Sequence, residues 1–258
     1  MSKFFSPDKL LSLILKEQSH LYAKSTGEET PLKDSYLNVF SKNENAVKVI
    51  FDHANFKILH ISDNVQAITG YTDEEFGKAN TLFTLKLITL EHFNFMYVWL
   101  KWAIGIHAQL GDLNNAKQAV CGVKLNHKNG RVMRMMFRHT ALEMADSGAI
   151  KVAAISIDDI GHLLKGDFYW GRMAFDETER DIHHFISTDK KDISHDIISG
   201  REKDVLRLIA EGRESKEIAE TLFLSSHTVD NHRRNMIART GAKDTTALVQ
   251  ICRMAGII

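Results

Sequence analysis

Proline occupies two of the 258 positions and cysteine two more. Cys121 and Cys252 stand far apart in apolar surroundings, which excludes a disulfide framework or a cysteine metal site. Reduced thiols, and hence a cytoplasmic protein, are the expectation. Net charge is missing as well: 33 Lys and Arg face 33 Asp and Glu. The chain as a whole therefore has no polyelectrolyte attraction for nucleic acid or membrane, and any such attraction must be local. No apolar run reaches the ~18 residues of a membrane span. The richest stretch, FNFMYVWLKWAIGI at 93–106, is broken by Lys101 and reads as a buried helix. A P-loop, a nucleophile elbow, an H-E-x-x-H pair and a dinucleotide fingerprint are all lacking. Nor does a receiver-type acidic cluster occur, so phosphorylation of the chain is not implied. These absences leave no residues on which to rest catalysis, and an enzyme is not expected.

What is present divides into four segments: 1–45, 46–163, 164–196 and 197–258. The first ~16 residues form an amphipathic helix in this reading, with Phe5, Leu10, Leu11, Leu13 and Ile14 apolar. They carry no small-residue cleavage site. Polar residues 17–45 make a loop-rich approach. From 46 onward, AVKVIFD and KILHIS predict two strands joined by the turn HANF. A short helix should end at Gly70, and Thr72 with Glu75 three residues later predicts a capping box. A long apolar helix is expected over roughly 88–110. Three strands follow, in KQAVCGVKLNH, RVMRMMFRHTALEM and IKVAAISIDDI, joined by the turns HKNG and ADSG. Strand–strand–helices–strand–strand–strand is an α+β order with one antiparallel sheet. Residues 164–196 mix aromatics and charge and read as a partly helical connector.

Beyond 197 every segment has helical periodicity. Ser199 and Glu202 form a capping box, Gly212 stops the first helix, and SKEIAETLFL makes a shorter second one. Glu214 stands where a small hydroxyl cap is usual, so Ser215 is expected to cap that helix. Ser225 caps a third helix and Asp244 a fourth. The third has two unlike sides. Val229, Met236 and Thr240, with the stem of Arg233, fall on one; His227, Asp230, Asn231, Arg234 and Ala238 fall on the other. Between 226 and 243 four basic residues, Arg233, Arg234, Arg239 and Lys243, face Asp230 alone. A short helix, a tight turn and a longer basic helix are the helix-turn-helix arrangement, whose second helix enters the DNA major groove.

Residues 197–255 resemble the LuxR-type helix-turn-helix domain through REKDVLRLIAEG, KEIAETLFLSSHTV, His232, Ile237 and Gly241. The resemblance implies a four-helix DNA-binding domain that pairs through its last helix on an inverted repeat, so double-stranded DNA and a second copy are the expected partners. It implies that Lys216, His227, Thr228, Arg233 and Arg234 lie near the DNA backbone, while Asp230, Asn231 and Arg234 face bases. Asn231 could bond adenine bidentately and Arg234 guanine or a phosphate. Asp230 departs from the commoner residue there; it would have to accept from a cytosine amine or hold Arg233 or Arg234.

Residues 46–163 resemble a PAS domain through Asp63-Asn64 and TGYTDEEFGK, which implies a five-stranded sheet cupping a small-molecule or partner site. Phe95, Trp99 and Trp102 are the candidate ligand contacts, although an aromatic stripe at helical spacing is more often core. Haem held by His92 or His107 lacks any diagnostic context, and the flavin-binding N-C-R-F-type motif is missing, so no cofactor is required. The His183-His184 pair lacks metal-helix spacing and reads as solvated. The composite expectation is a ligand- or partner-sensing transcription regulator. The alternative is a signalling adaptor whose helical end serves only dimerisation.

Overall fold

The computed structural model describes residues 29–40, 45–78, 117–174, 182–186 and 197–258, together with isolated positions between 9 and 22 and between 87 and 103. The expected N-terminal helix and His107 fall largely or wholly outside the described residues. A short helix, α1 (Asp34–Leu37), interrupts the polar approach segment.

Strands β1 (Val47–Asp52) and β2 (Lys57–Ile61) pair through the expected turn, followed by α2 (Val65–Thr69) and α3 (Asp73–Lys78). Gly70 closes α2 at φ 80°, and Thr72 and Glu75 exchange the two capping hydrogen bonds at 3.1 and 2.8 Å. Three long strands follow: β3 (Lys117–Asn126), β4 (Val132–Met144) and β5 (Ile150–Asp159). Their antiparallel order with the first hairpin is β2-β1-β5-β4-β3. This is the α+β arrangement the sequence implies.

Two departures matter. Residues 164–196 do not supply a helix among their described residues; β6 (Trp170–Ala174) and β7 (Ile182–Ile186) instead extend the sheet beyond β3 to seven strands. The five residues WGRMA alternate, with Gly171 and Met173 toward one face and Trp170 and Arg172 toward the other. So short a run, buried throughout, hides its period of two. The long helix does not begin at 88, because Ile88 bridges to Leu125 and the Thr89 N–H donates to Lys124 at 3.0 Å. Its described helical residues are His92, 95–99 and 102–103.

The sheet buries both faces. On the inner face Val49, Phe51, Val120, Met135, Ile155 and Met173 pack with Phe95 and Trp99. On the outer face, Ile50, Val152 and Ala154 lie under Tyr36 of α1, while Ala119, Cys121, Met136 and Trp170 join the core of the C-terminal helices. Each fully buried aliphatic side chain here is worth roughly 1.5–3 kcal/mol. Those helices are α4 (Gly200–Ala210), α5 (Ser215–Leu222), α6 (Ser226–Thr240) and α7 (Thr245–Met254). Among the described residues no helix is long and apolar enough to cross a membrane.

Candidate nucleic-acid interface and sensor cup

Local chemistry fixes α6. The Ser225 hydroxyl accepts from the Thr228 N–H at 3.0 Å, and Gly241 ends the helix at φ 72°. Val229, Met236 and Thr240 are buried beneath it, as their spacing predicts. On the opposite side His227 and Arg234 are exposed and Asp230 and Asn231 half-buried. The Arg234 guanidinium donates to the Asn231 side-chain carbonyl, so the two groups able to read bases sit together on the open face.

Asp230 is a tie between helices. Its carboxylate accepts from the Ser215 hydroxyl at 2.7 Å and lies 3.7 Å from Arg233. That accounts for an acid on an otherwise basic face, and it corrects the expectation for Ser215. Glu214 occupies the N-cap of α5, its N–H bonded to Glu217 at 2.8 Å, while the Ser215 hydroxyl is turned to Asp230. Lys216 follows, exposed, at the second residue of α5.

Arg239 contributes less to a phosphate track than its charge suggests. It pairs with Glu202, which is buried at the start of α4 and also receives the Ser199 N–H at 2.9 Å. Burial pushes the Glu202 carboxyl up, but the Ser199 bonds and Arg239 together hold it below its usual range. His232 Nδ1 stands 3.9 Å from the same carboxylate. Of the expected DNA contacts, Lys216 and Arg234 are exposed, as is Lys243, while Arg233 is half-buried beside Asp230.

The turn between α5 and α6 contains a residue that sequence reasoning missed. Phe223 is 95% exposed and holds φ 55°, the left-handed cap of α5. An apolar cap in that conformation is unexpected, because glycine or asparagine fills it at lower cost.

In the sheet unit, Phe95 and Trp99 are fully buried and Trp102 half-buried, with the two indoles 4.9 Å apart. Trp99 presses on β6: a Cβ on Gly171 would come within 2.0 Å of its ring. These aromatics are core against the sheet. His92 is also core, its Nδ1 3.1 Å from the Thr89 hydroxyl and its ring edge-on to Tyr169. His183 and His184 lie in β7, in register with Met173 and Arg172.

The two units grip each other through β6 and the loop before it. Trp170 Nε1 donates to the Thr240 carbonyl at 3.2 Å, and the buried Arg172 guanidinium donates to Ala255 and Gly256 at 3.0 and 2.9 Å. Leu164 bridges to Ala242, and the Lys165 N–H donates to Gly241 at 2.8 Å. Neither Trp170 nor Arg172 stood out in the sequence, because both were assigned to a connector.

Residues 196–252 match the family model of bacterial regulatory proteins, luxR family. The last quarter of the chain therefore carries a LuxR-type helix-turn-helix domain, which follows the α+β sheet unit. No curated protein matches the chain. Among solved structures, a Vibrio cholerae VqmA dimer, described as a LuxR-type receptor, is 16% identical; the match covers 87% of this chain and 88% of that one at TM-score 0.32. The Rhodobacter sphaeroides LOV protein is 10% identical, covering 96% and 98%, at TM-score 0.35. A PAS/PAC sensor domain of a Marinobacter aquaeolei diguanylate cyclase is 12% identical, covering 45% and 94%, at TM-score 0.33. Superpositions this loose carry no residue roles.

Proposed function

We propose that the protein is a cytoplasmic, non-enzymatic transcription regulator. In this reading the PAS-like unit senses a small molecule and the helix-turn-helix reads double-stranded DNA as a homodimer. One observation carries it: α6 is buried along Val229, Met236 and Thr240 and leaves Asn231 and Arg234 together on an open face, with Arg233 beside Asp230 on the same helix and Lys216 exposed on α5. Arg can pair with guanine and Asn with adenine in the major groove, while Lys216, His227, Thr228 and Arg233 would meet phosphates.

Pairing through α7 is supported by an open groove between that helix and α4, lined by Ile209, Ala210, Thr246, Val249 and Arg253. Two such units on one axis would read an inverted repeat. Coupling to the sensor is supported by β6, which touches Trp99 through Gly171 on one face and holds α6 and the end of α7 through Trp170 and Arg172 on the other. A ligand that favours one position of this strand would shift the population of docked and released reading domains.

The test is binding of selected and random duplexes across a salt series. Wild type should prefer the selected duplex and lose affinity steeply with salt, and Arg234→Ala should lose selectivity. The absence of any salt-dependent retention of DNA would favour the adaptor, in which the helical end only dimerises.

A further inference from the structure

Gln118 on β3 and His139 on β4 are direct partners across the sheet. Register places both on the inner face. Gln118 also faces Met173, and His139 also faces Ile155, both of which are core residues there. Along β4, His139 lies between Phe137 and Ala141, which pack into that same core. Side chains directly opposite in an antiparallel pair have Cβ atoms about 4.5–5.5 Å apart. Two polar groups thus share one spot on a floor whose core residues are apolar, with the His53 ring nearby.

Neither side chain has a hydrogen-bond partner among the described residues, yet both are only half-buried and keep accessible surface. His139 nevertheless lies deep enough that burial, with a smaller contribution from His53, pushes its imidazole down to about 3. The polar atoms of both side chains thus keep accessible surface in place of a protein partner. Interior polar groups without protein partners are costly unless something else satisfies them.

We propose that Gln118 and His139 are the polar floor of a binding site for a small uncharged molecule that both donates and accepts hydrogen bonds. The inference rests on the sensor reading above and names the ligand class of that same cup. A neutral imidazole offers one donor and one acceptor, and the carboxamide two donors and an acceptor. Together they match a lactam, amide or hydroxyl-bearing ring. Among the described residues, the flanking Phe137, Ala141, Val120, Ile155 and Met173 carry no charge, and burial keeps the nearby His53 ring neutral, so an ionic ligand would be stripped of water without compensation.

The test uses the full chain with isotope labels in the histidine rings and glutamine amides, read by nuclear magnetic resonance. The probes are nicotinamide and uracil, their charged counterparts nicotinate and orotate, and toluene. Nicotinamide or uracil should shift the His139 and Gln118 signals at millimolar concentration, with nicotinate and orotate at least tenfold weaker. A Gln118→Leu/His139→Leu variant should bind the neutral probes at least tenfold more weakly while still taking up toluene. The wild-type shifts stand as a test even where that variant fails to fold. Equal binding of the charged probes, unchanged binding by a folded variant, or entry of toluene alone overturns the polar floor but leaves small-molecule sensing intact. Failure of every probe to enter overturns both.

Discussion

Trp170 and Thr240 join the sheet to α6: the indole Nε1 of the first donates to the carbonyl of the second at 3.2 Å, at the last residue of that helix. Both residues are fully buried, so the carbonyl has no ready water to replace the donor. Trp170→Phe should weaken docking by about 1–3 kcal/mol, the cost of an orphaned buried acceptor. Chemical denaturation followed separately by sheet and helix signals should split into two transitions in the variant. A single unchanged transition would show that this bond does not hold the units together.

On the reading face, Asn231→Ala and Arg234→Ala should each lose about 1–3 kcal/mol of discrimination at one base position. Lys216→Ala should instead weaken binding evenly across sequences and lower the salt slope by about one. Competition between selected and single-base-variant duplexes separates the two patterns. Ser215→Ala offers a complementary check, since it removes the hydroxyl that Asp230 accepts from and frees that acid to oppose phosphate.

The helix-turn-helix was legible because its evidence is local. Ser199, Ser225 and Asp244 cap helices as their spacing predicts, and Val229 and Met236 repeat at helical period. The first five strands were legible for the same reason, each bounded by turn residues. What stayed hidden depends on partners far along the chain. WGRMA shows no pattern until Trp170 and Arg172 find the helices and Gly171 finds Trp99. Asp230 seemed anomalous until Ser215, fifteen residues away, supplied its partner. The polar pair on the cup floor exists only through the β3–β4 register, which no single segment encodes.

Phe223 combines full exposure with a left-handed backbone, a conformation that costs a residue with a Cβ roughly 1–2 kcal/mol. Phe223→Gly removes that cost while adding chain entropy to the unfolded state, for a net gain of up to about 1 kcal/mol. The midpoint of denaturant unfolding should rise with no change in slope. A fall would mean that the ring makes a stabilising contact, and a second copy of the chain would be the place to look for it.

Acid should loosen the sheet unit before it touches the C-terminal helices. Burial pushes the His53 imidazole down to about 4 and His139 to about 3, from an ordinary value of 6.5, with Asp52 only partly opposing the shift at His53. The unfolded chain therefore takes up protons near pH 6.5 that the folded chain refuses. The stability tied to these groups is complete above that pH and is lost progressively as the pH falls toward 4. Carboxylates such as Glu143, held at about 2 by Lys33 and Tyr36, add their own loss only below about 4.5, so the window between pH 7 and 5 isolates the histidines. Thermal unfolding across that window should show the melting temperature dropping with acid in wild type. The drop should be clearly shallower in a His53→Gln/His139→Gln variant, and equal slopes would show that the burial of these rings does not govern the acid loss.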